Sequence, residues 1–86
     1  MTEEQIYAAL SEIFHDAFLR NDLVLTPLLS AEDVPGWDSF KQIEILFAIE
    51  QHFKIRFNTR EVDRMSNVGD LARAVAVRFP AHKASD

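Results

Sequence analysis

The chain has 86 residues, which is enough for one domain with a single core but too few for a core plus a buried substrate chamber. Its composition, 48% hydrophobic and 27% charged with only two Gly and three Pro, is that of a compact helical module and excludes a largely disordered chain. The lack of cysteine excludes disulfides, thiolate metal sites and a protein thiol nucleophile, and the net charge of −5 argues against nucleic acid or an anionic membrane surface as partner.

The amino terminus is acidic, and no apolar run has the length of a signal segment or a membrane span. A cytoplasmic monomer is therefore expected. No repeat or linker divides the sequence, so residues 1–86 are read as one unit.

Thr2, Glu3, Glu4 and Gln5 have capping-box spacing, so a first helix should run from about residue 3 to residue 20. Ile6, Leu10, Ile13, Phe14 and Ala17 recur along it at helical spacing and mark its inner face. Glu12 and His15 form a Glu-x-x-His pair, a spacing that in di-iron bundles supplies two ligands of one site. No second copy exists, so the pair reads as a solvated helix face and no metal is expected.

Residues 21 to 38 make a connection that is long for so small a domain, and one too apolar to be slack. Leu23, Val24, Leu25, Leu28, Leu29 and Val34 are expected to fold back over the bundle, with Pro27 and Pro35 restricting the path. Ser30 to Asp33 has the pattern of a single helical turn capped by Ser30. Trp37 is either a packing residue for this loop or an exposed anchor, since tryptophan serves both ends.

Pro35 and Gly36 break the chain, and either Asp38 or Ser39 can cap the next helix, about residues 39–53. At 100° per residue, Ile45, Leu46, Ile49 and Phe53 share one face, while Phe40, Ile43 and Phe47 fall nearly opposite. One stripe is core. The other, with Glu44 inside it and Glu50 at its edge, reads as a docking surface beside an exposed serine.

Residues 54 to 57 alternate in polarity but have no partner strand, so they read as an extended connector burying Ile55 and Phe57. Asn58 or Thr59 then caps a short helix at about 60–65 with Val62 and Met65 inward. Ser66 or Asn67 caps a last helix at about 67–79, with Val68, Leu71, Ala72, Val75 and Phe79 inward and Pro80 as its stop. Residues 81–86 carry no apolar content of note and read as a frayed tail. The predicted fold is thus all-α: a four-helix bundle of three longer helices and one short one, with a long structured first loop.

Catalysis by the chain itself is not expected. A Ser-His-Asp arrangement needs a base near Ser39, yet the nearest histidine in sequence, His52, lies almost four helical turns away, and there is no glycine-rich turn. His52 reads as a boundary residue and His82 as a tail residue.

Asp38, Ser39 and Phe40, preceded by Gly36 and Trp37, resemble the signature of the acyl carrier protein family, in which an Asp-Ser-Leu-like triplet opens a helix backed by apolar residues and glutamates. The likeness extends to the long first loop, to Glu44 five residues after the serine, to Phe53 at the helix end, and to Val68, Gly69 and Asp70 opening the last helix. It implies that Ser39 carries a covalent 4′-phosphopantetheine arm, that Asp38 helps engage the phosphopantetheinyl transferase, and that the arm's thiol holds acyl groups as thioesters. Acyl-loading and acyl-processing enzymes would be the other partners, meeting Phe40, Ile43, Glu44, Phe47 and Glu50. Family members of this kind can shelter an acyl chain between helices, where Met65 would be an adaptable lining residue.

An aminoacyl or peptidyl carrier, or a four-helix adaptor that is never modified, would present a similar surface. Carriers of primary fatty acid synthesis are typically acidic along the helix after the serine. Here Asp38, Glu44, Glu50, Glu61 and Asp63 are balanced by Lys41, Lys54, Arg56, Arg60 and Arg64. Lys41 is expected to repel a basic docking patch, which implies a dedicated partner in a specialised lipid or polyketide-type pathway.

Overall fold

The computed structural model describes residues 2–79. Four helices are present among them, α1 (Glu3–Phe18), α2 (Ser39–Phe53), α3 (Thr59–Asp63) and α4 (Val68–Ala76), and no strand. The Pro80 stop, the expected tail and His82 lie outside the described residues.

The architecture is an all-α bundle in which α1 packs against both α2 and α4. Each contributes one stripe to a shared core: Ile6, Leu10, Ile13 and Phe14 from α1, Ile45, Leu46, Ile49 and Phe53 from α2, and Val68, Leu71, Ala72 and Val75 from α4. Val34 and Trp37 complete it from the first loop, and no polar or charged residue is buried among the described residues. Such a core leaves no ionisable group fully buried, so burial of apolar surface is the main source of stability.

The first loop is fastened to the start of α4. Three orphan N–H groups of that helix find acceptors: Val68 N–H donates to Leu29 O at 2.9 Å, Gly69 N–H to Pro27 O at 2.8 Å, and Asp70 N–H to the Asn67 side chain at 2.8 Å. A Cβ at Gly69 would sit 2.9 Å from Pro27 O, so the close approach of the loop requires glycine there. Leu23, Leu25 and Leu29 pack against the core, but Val24 and Leu28 are 76% and 81% exposed. The expectation that all six apolar loop residues turn inward fails for these two; at Leu28 the backbone bonds that tie Pro27 and Leu29 to α4 leave the intervening side chain pointing away. Ser30 to Asp33 forms the expected turn, with the Asp33 carboxylate accepting from Ser30 N–H at 3.0 Å. The Ser30 hydroxyl donates to that carboxylate rather than capping.

Three helices end earlier than their periodicity suggests. α1 stops at Phe18 because Leu19 takes a left-handed conformation (φ 54°, ψ 42°), with its N–H and that of Arg20 both returning to His15 O. α3 gives way after Asp63 to tighter turns, as Arg64 and Met65 N–H groups bond back three residues. α4 ends at Ala76 in the same manner, with Arg78 bonding to Val75 O and Phe79 to Ala76 O at 3.0 Å each. Phe79 still reaches the core edge, 6.0 Å from the Phe53 ring.

α3 contains no fully buried residue, but Ile55, Phe57, Val62 and Met65 pack half-buried against the core as expected, and polar ties reinforce that contact. Asn58 and Glu61 form a reciprocal capping box, and Arg78 clamps the segment by donating to Glu61 Oε1 at 2.6 Å, to Arg56 O at 2.8 Å and to Ala74 O at 2.7 Å while lying over the Phe57 ring. The Asp70 carboxylate accepts from the Ser66 N–H and hydroxyl at the turn into α4.

Truncating Ile49 or Phe53 to Ala removes atoms from this core and should cost about 2–5 kcal/mol in denaturant unfolding, whereas Phe47→Ala on the opposite face should leave the midpoint nearly unchanged. A second expectation follows from the carboxylates around α3. The Arg78 hydrogen bond, followed by the Asn58 N–H, holds Glu61 below its ordinary 4.5, and the Ser66 N–H foremost holds Asp70 below its ordinary 3.8. Depressed folded values mean that the stability these groups supply is complete above the ordinary values and is lost as pH falls through the depressed ones. Melting temperatures taken from pH 7 downward should show Asp70→Asn below wild type at neutral pH, with the gap closing below about pH 3.8.

Candidate functional site

The chain reaches the site through a sharp turn. Gly36 has φ 92°, a region that side chains disfavour, and Trp37 N–H bonds back to Val34 O at 3.1 Å. Trp37 then plunges inward: it is buried, its ring meets Phe14 edge-on at 5.2 Å and 80°, and its indole N–H donates to Gln42 Oε1 at 2.6 Å. The packing alternative for Trp37 is the correct one.

Asp38, rather than Ser39, caps α2. Its backbone is extended (φ −113°, ψ −168°), its carboxylate accepts from Lys41 N–H at 2.9 Å, and its carbonyl accepts from Gln42 N–H at 2.8 Å. Ser39 is consequently the first residue of the helix. It is exposed, and its hydroxyl makes no hydrogen bond among the described residues. Beside it opens a groove of about 520 Å³, bounded by Trp37, Asp38, Gln42 and Ile43 on one side and by Val62, Met65, Ser66 and Asn67 on the other.

The outer stripe of α2 is solvent-facing as its spacing suggests, with Phe40, Ile43 and Phe47 87%, 66% and 61% exposed. Glu44 is exposed within it, whereas Glu50 is half-buried and its carboxylate accepts from Phe57 N–H at 2.8 Å, tying the α2–α3 connector to the helix. Lys41 behaves differently from the sequence expectation. Its Nζ donates to Ala17 O at 2.8 Å and to Glu44 Oε1 at 3.0 Å and stands over the Phe18 ring, so it closes the carboxyl end of α1 instead of facing a partner. Spacing carried no signal for this contact, because it joins residues 24 apart through the fold.

The histidines are placed elsewhere. His15 Nε2 lies 3.1 Å from Leu23 O, and the His52 ring stands edge-on to Phe53 at the far end of α2. Glu12, one turn from His15, is exposed.

A family model described as a phosphopantetheine attachment site matches residues 35–75, the segment from the turn before Ser39 to the core of α4. The solution NMR structure of holo acyl carrier protein from Geobacter metallireducens superimposes with a TM-score of 0.78 at 34% sequence identity, covering 93% of this chain and 97% of that one. The chain belongs to the acyl carrier protein family. Among curated protein sequences no match is found.

Membership makes this a carrier rather than an enzyme, with covalently attached 4′-phosphopantetheine as its cofactor. The residues at the start of α2 suit such a group. A phosphodiester is favoured at a helix amino terminus by the unbonded N–H groups and the positive end of the dipole, and the adjacent groove offers both amide and apolar surface to an extended arm. No helix among the described residues is long and apolar enough to cross a membrane.

The division of labour between neighbours has a measurable signature. Asp38→Ala removes the cap and should lower stability by about 0.5–2 kcal/mol, while Ser39→Ala should be close to neutral in the same unfolding assay.

Proposed function

We propose that Ser39 is the attachment residue for 4′-phosphopantetheine and that the loaded arm presents acyl thioesters to partner enzymes in a specialised lipid or polyketide-type pathway. The observation that carries the first half is the unengaged Ser39 hydroxyl, exposed at the first position of α2 while Asp38 does the capping. A serine that holds its own helix start would have to give up a hydrogen bond to react. Here it does not. The chain has no cysteine, so the thioester sulfur belongs to the arm.

Asp38 also suits the role of contact for the phosphopantetheinyl transferase, since only one hydrogen bond within α2 occupies its carboxylate. Loading and processing enzymes would meet the stripe of Phe40, Ile43, Glu44 and Phe47, with Glu50 at its edge holding the connector in place. The specialised pathway is supported by the balance of five acidic and five basic side chains between Trp37 and Ser66, which does not match a partner with a basic docking patch.

The test is incubation with coenzyme A and a broad-specificity phosphopantetheinyl transferase, followed by peptide mapping. Mass gain should fall on the Ser39 peptide and vanish in Ser39→Ala. No gain, or a gain that persists in that variant, removes the assignment. Intact-mass analysis of protein from its own host then reports the acyl group carried.

A further inference from the structure

One polar group beside Ser39 is bonded on only one of its two sides. The Gln42 side chain is half-buried at the edge of the groove that also reaches Ser39, and its Oε1 accepts from the Trp37 indole N–H at 2.6 Å. An indole nitrogen can only donate, so the carbonyl oxygen of the amide is the atom that must face it. The NH2 group of Gln42 is thereby turned away from Trp37, and it meets no acceptor among the described residues. Trp37 is itself buried with its ring edge-on to Phe14, so the amide is held in this orientation by a fixed neighbour.

The two N–H donors stand beside the serine. Residues 39 and 42 are three apart on one helix, hence neighbours on its surface, and helical side chains lean toward the amino terminus, so Gln42 covers the turn that Ser39 opens. Satisfying the indole does not by itself call for glutamine. Glutamate would accept equally well and would suit the positive end of a helix whose first turn, beyond the cap, holds no carboxylate. Glutamine differs by offering neutral donors where glutamate would bring negative charge, a difference that matters most beside an acceptor or an anion.

Resting on the assignment of Ser39 as the attachment residue, we infer that Gln42 is a positioning residue for the prosthetic arm. Its NH2 group, aimed by Trp37, donates to an acceptor oxygen at the near end of the arm and holds that end along the groove. The phosphodiester and the amide carbonyls of phosphopantetheine are acceptors of the required kind. Trp37 acts through Gln42, because without the indole the amide could turn its oxygen toward the arm instead.

The test follows the arm. Unlabelled carrier is loaded from isotope-labelled coenzyme A by a broad-specificity phosphopantetheinyl transferase, so that NMR relaxation reports the arm's amides alone. In the wild type the order parameter of the amide nearer the phosphodiester should lie above about 0.6, the level below which a segment is flexible, and Gln42→Met, neutral and of similar length but without donors, should bring it below that level. Gln42→Glu separates positioning from packing. Its carboxylate keeps the Trp37 bond, seen as an indole N–H still protected from exchange, yet it too should free the arm. An arm as mobile in the wild type as in both variants overturns the inference. So does release by Gln42→Met alone, which would place the effect in the lost indole bond, or by Gln42→Glu alone, which would be charge repulsion. Should Gln42→Met fold poorly, the wild type supplies a second reading: the Gln42 NH2 resonances should move between apo and holo protein, and their failure to move overturns the inference. Mass gain on Ser39 is measured in every sample. Its absence defeats the attachment assignment, whereas normal gain with a free arm defeats the role of Gln42 alone.

Discussion

The hydrogen bond from Lys41 N–H to the Asp38 carboxylate fixes where α2 begins, and much else depends on that register. A cap one residue later would place Ser39 half outside the helix with its hydroxyl occupied. Trp37 prevents such a slip. Its ring is buried against Phe14 while its indole N–H reaches Gln42 in the first turn of the helix, so the residue before the cap is locked to both α1 and α2. Gly36 supplies the positive φ that lets the chain enter this turn at all.

A small domain has few side chains to spare, and this one spends its charges on geometry. Lys41 closes the end of α1, Glu50 ties the connector, and Arg78 holds three acceptors and an aromatic ring around α3. None of these is a surface pair of the solvent-screened kind that contributes little. Each satisfies a backbone carbonyl or N–H left over at a helix end or in a connector, where an unmade bond is the larger penalty. One consequence is that Lys54, Arg56, Arg60 and Arg64 stay exposed without a bonded carboxylate among the described residues, which a count of charges along the sequence conceals.

What the sequence made legible was governed by short-range rules. The two faces of α2 could be separated because Ile45, Ile49 and Phe53 repeat at helical spacing while Phe40, Ile43 and Phe47 repeat half a turn away, and a core can accept only one of them. The triplet at residues 38–40 was legible for a similar reason, since capping chemistry acts over three residues. The helix ends were harder. Leu19 adopts a left-handed conformation that glycine or asparagine usually marks, and it does so because its N–H and that of Arg20 share His15 O, which no local residue type announces. The outward turn of Leu28 depends on α4 drawing Pro27 and Leu29 to its first amides, and Lys41's inward turn depends on α1 ending beside it. These are tertiary outcomes, invisible to periodicity.

The same distinction bears on the groove beside Ser39. One wall, from Trp37 to Ile43, belongs to α2 and shares the core with α1 and α4. The other, Val62 and Met65 through Asn67, is carried by α3 and the turn after it. α3 is five residues long and buries none of them fully; Val62 and Met65 pack half-buried against the core, and the Asn58 and Glu61 capping box, the Arg78 clamp and the Asp70 contact with Ser66 add to that hold. Segments with few fully buried side chains open at lower free energy than the global unfolding of the domain. The α2 wall of the groove is therefore the more deeply anchored of the two, and it is the wall on which the serine stands.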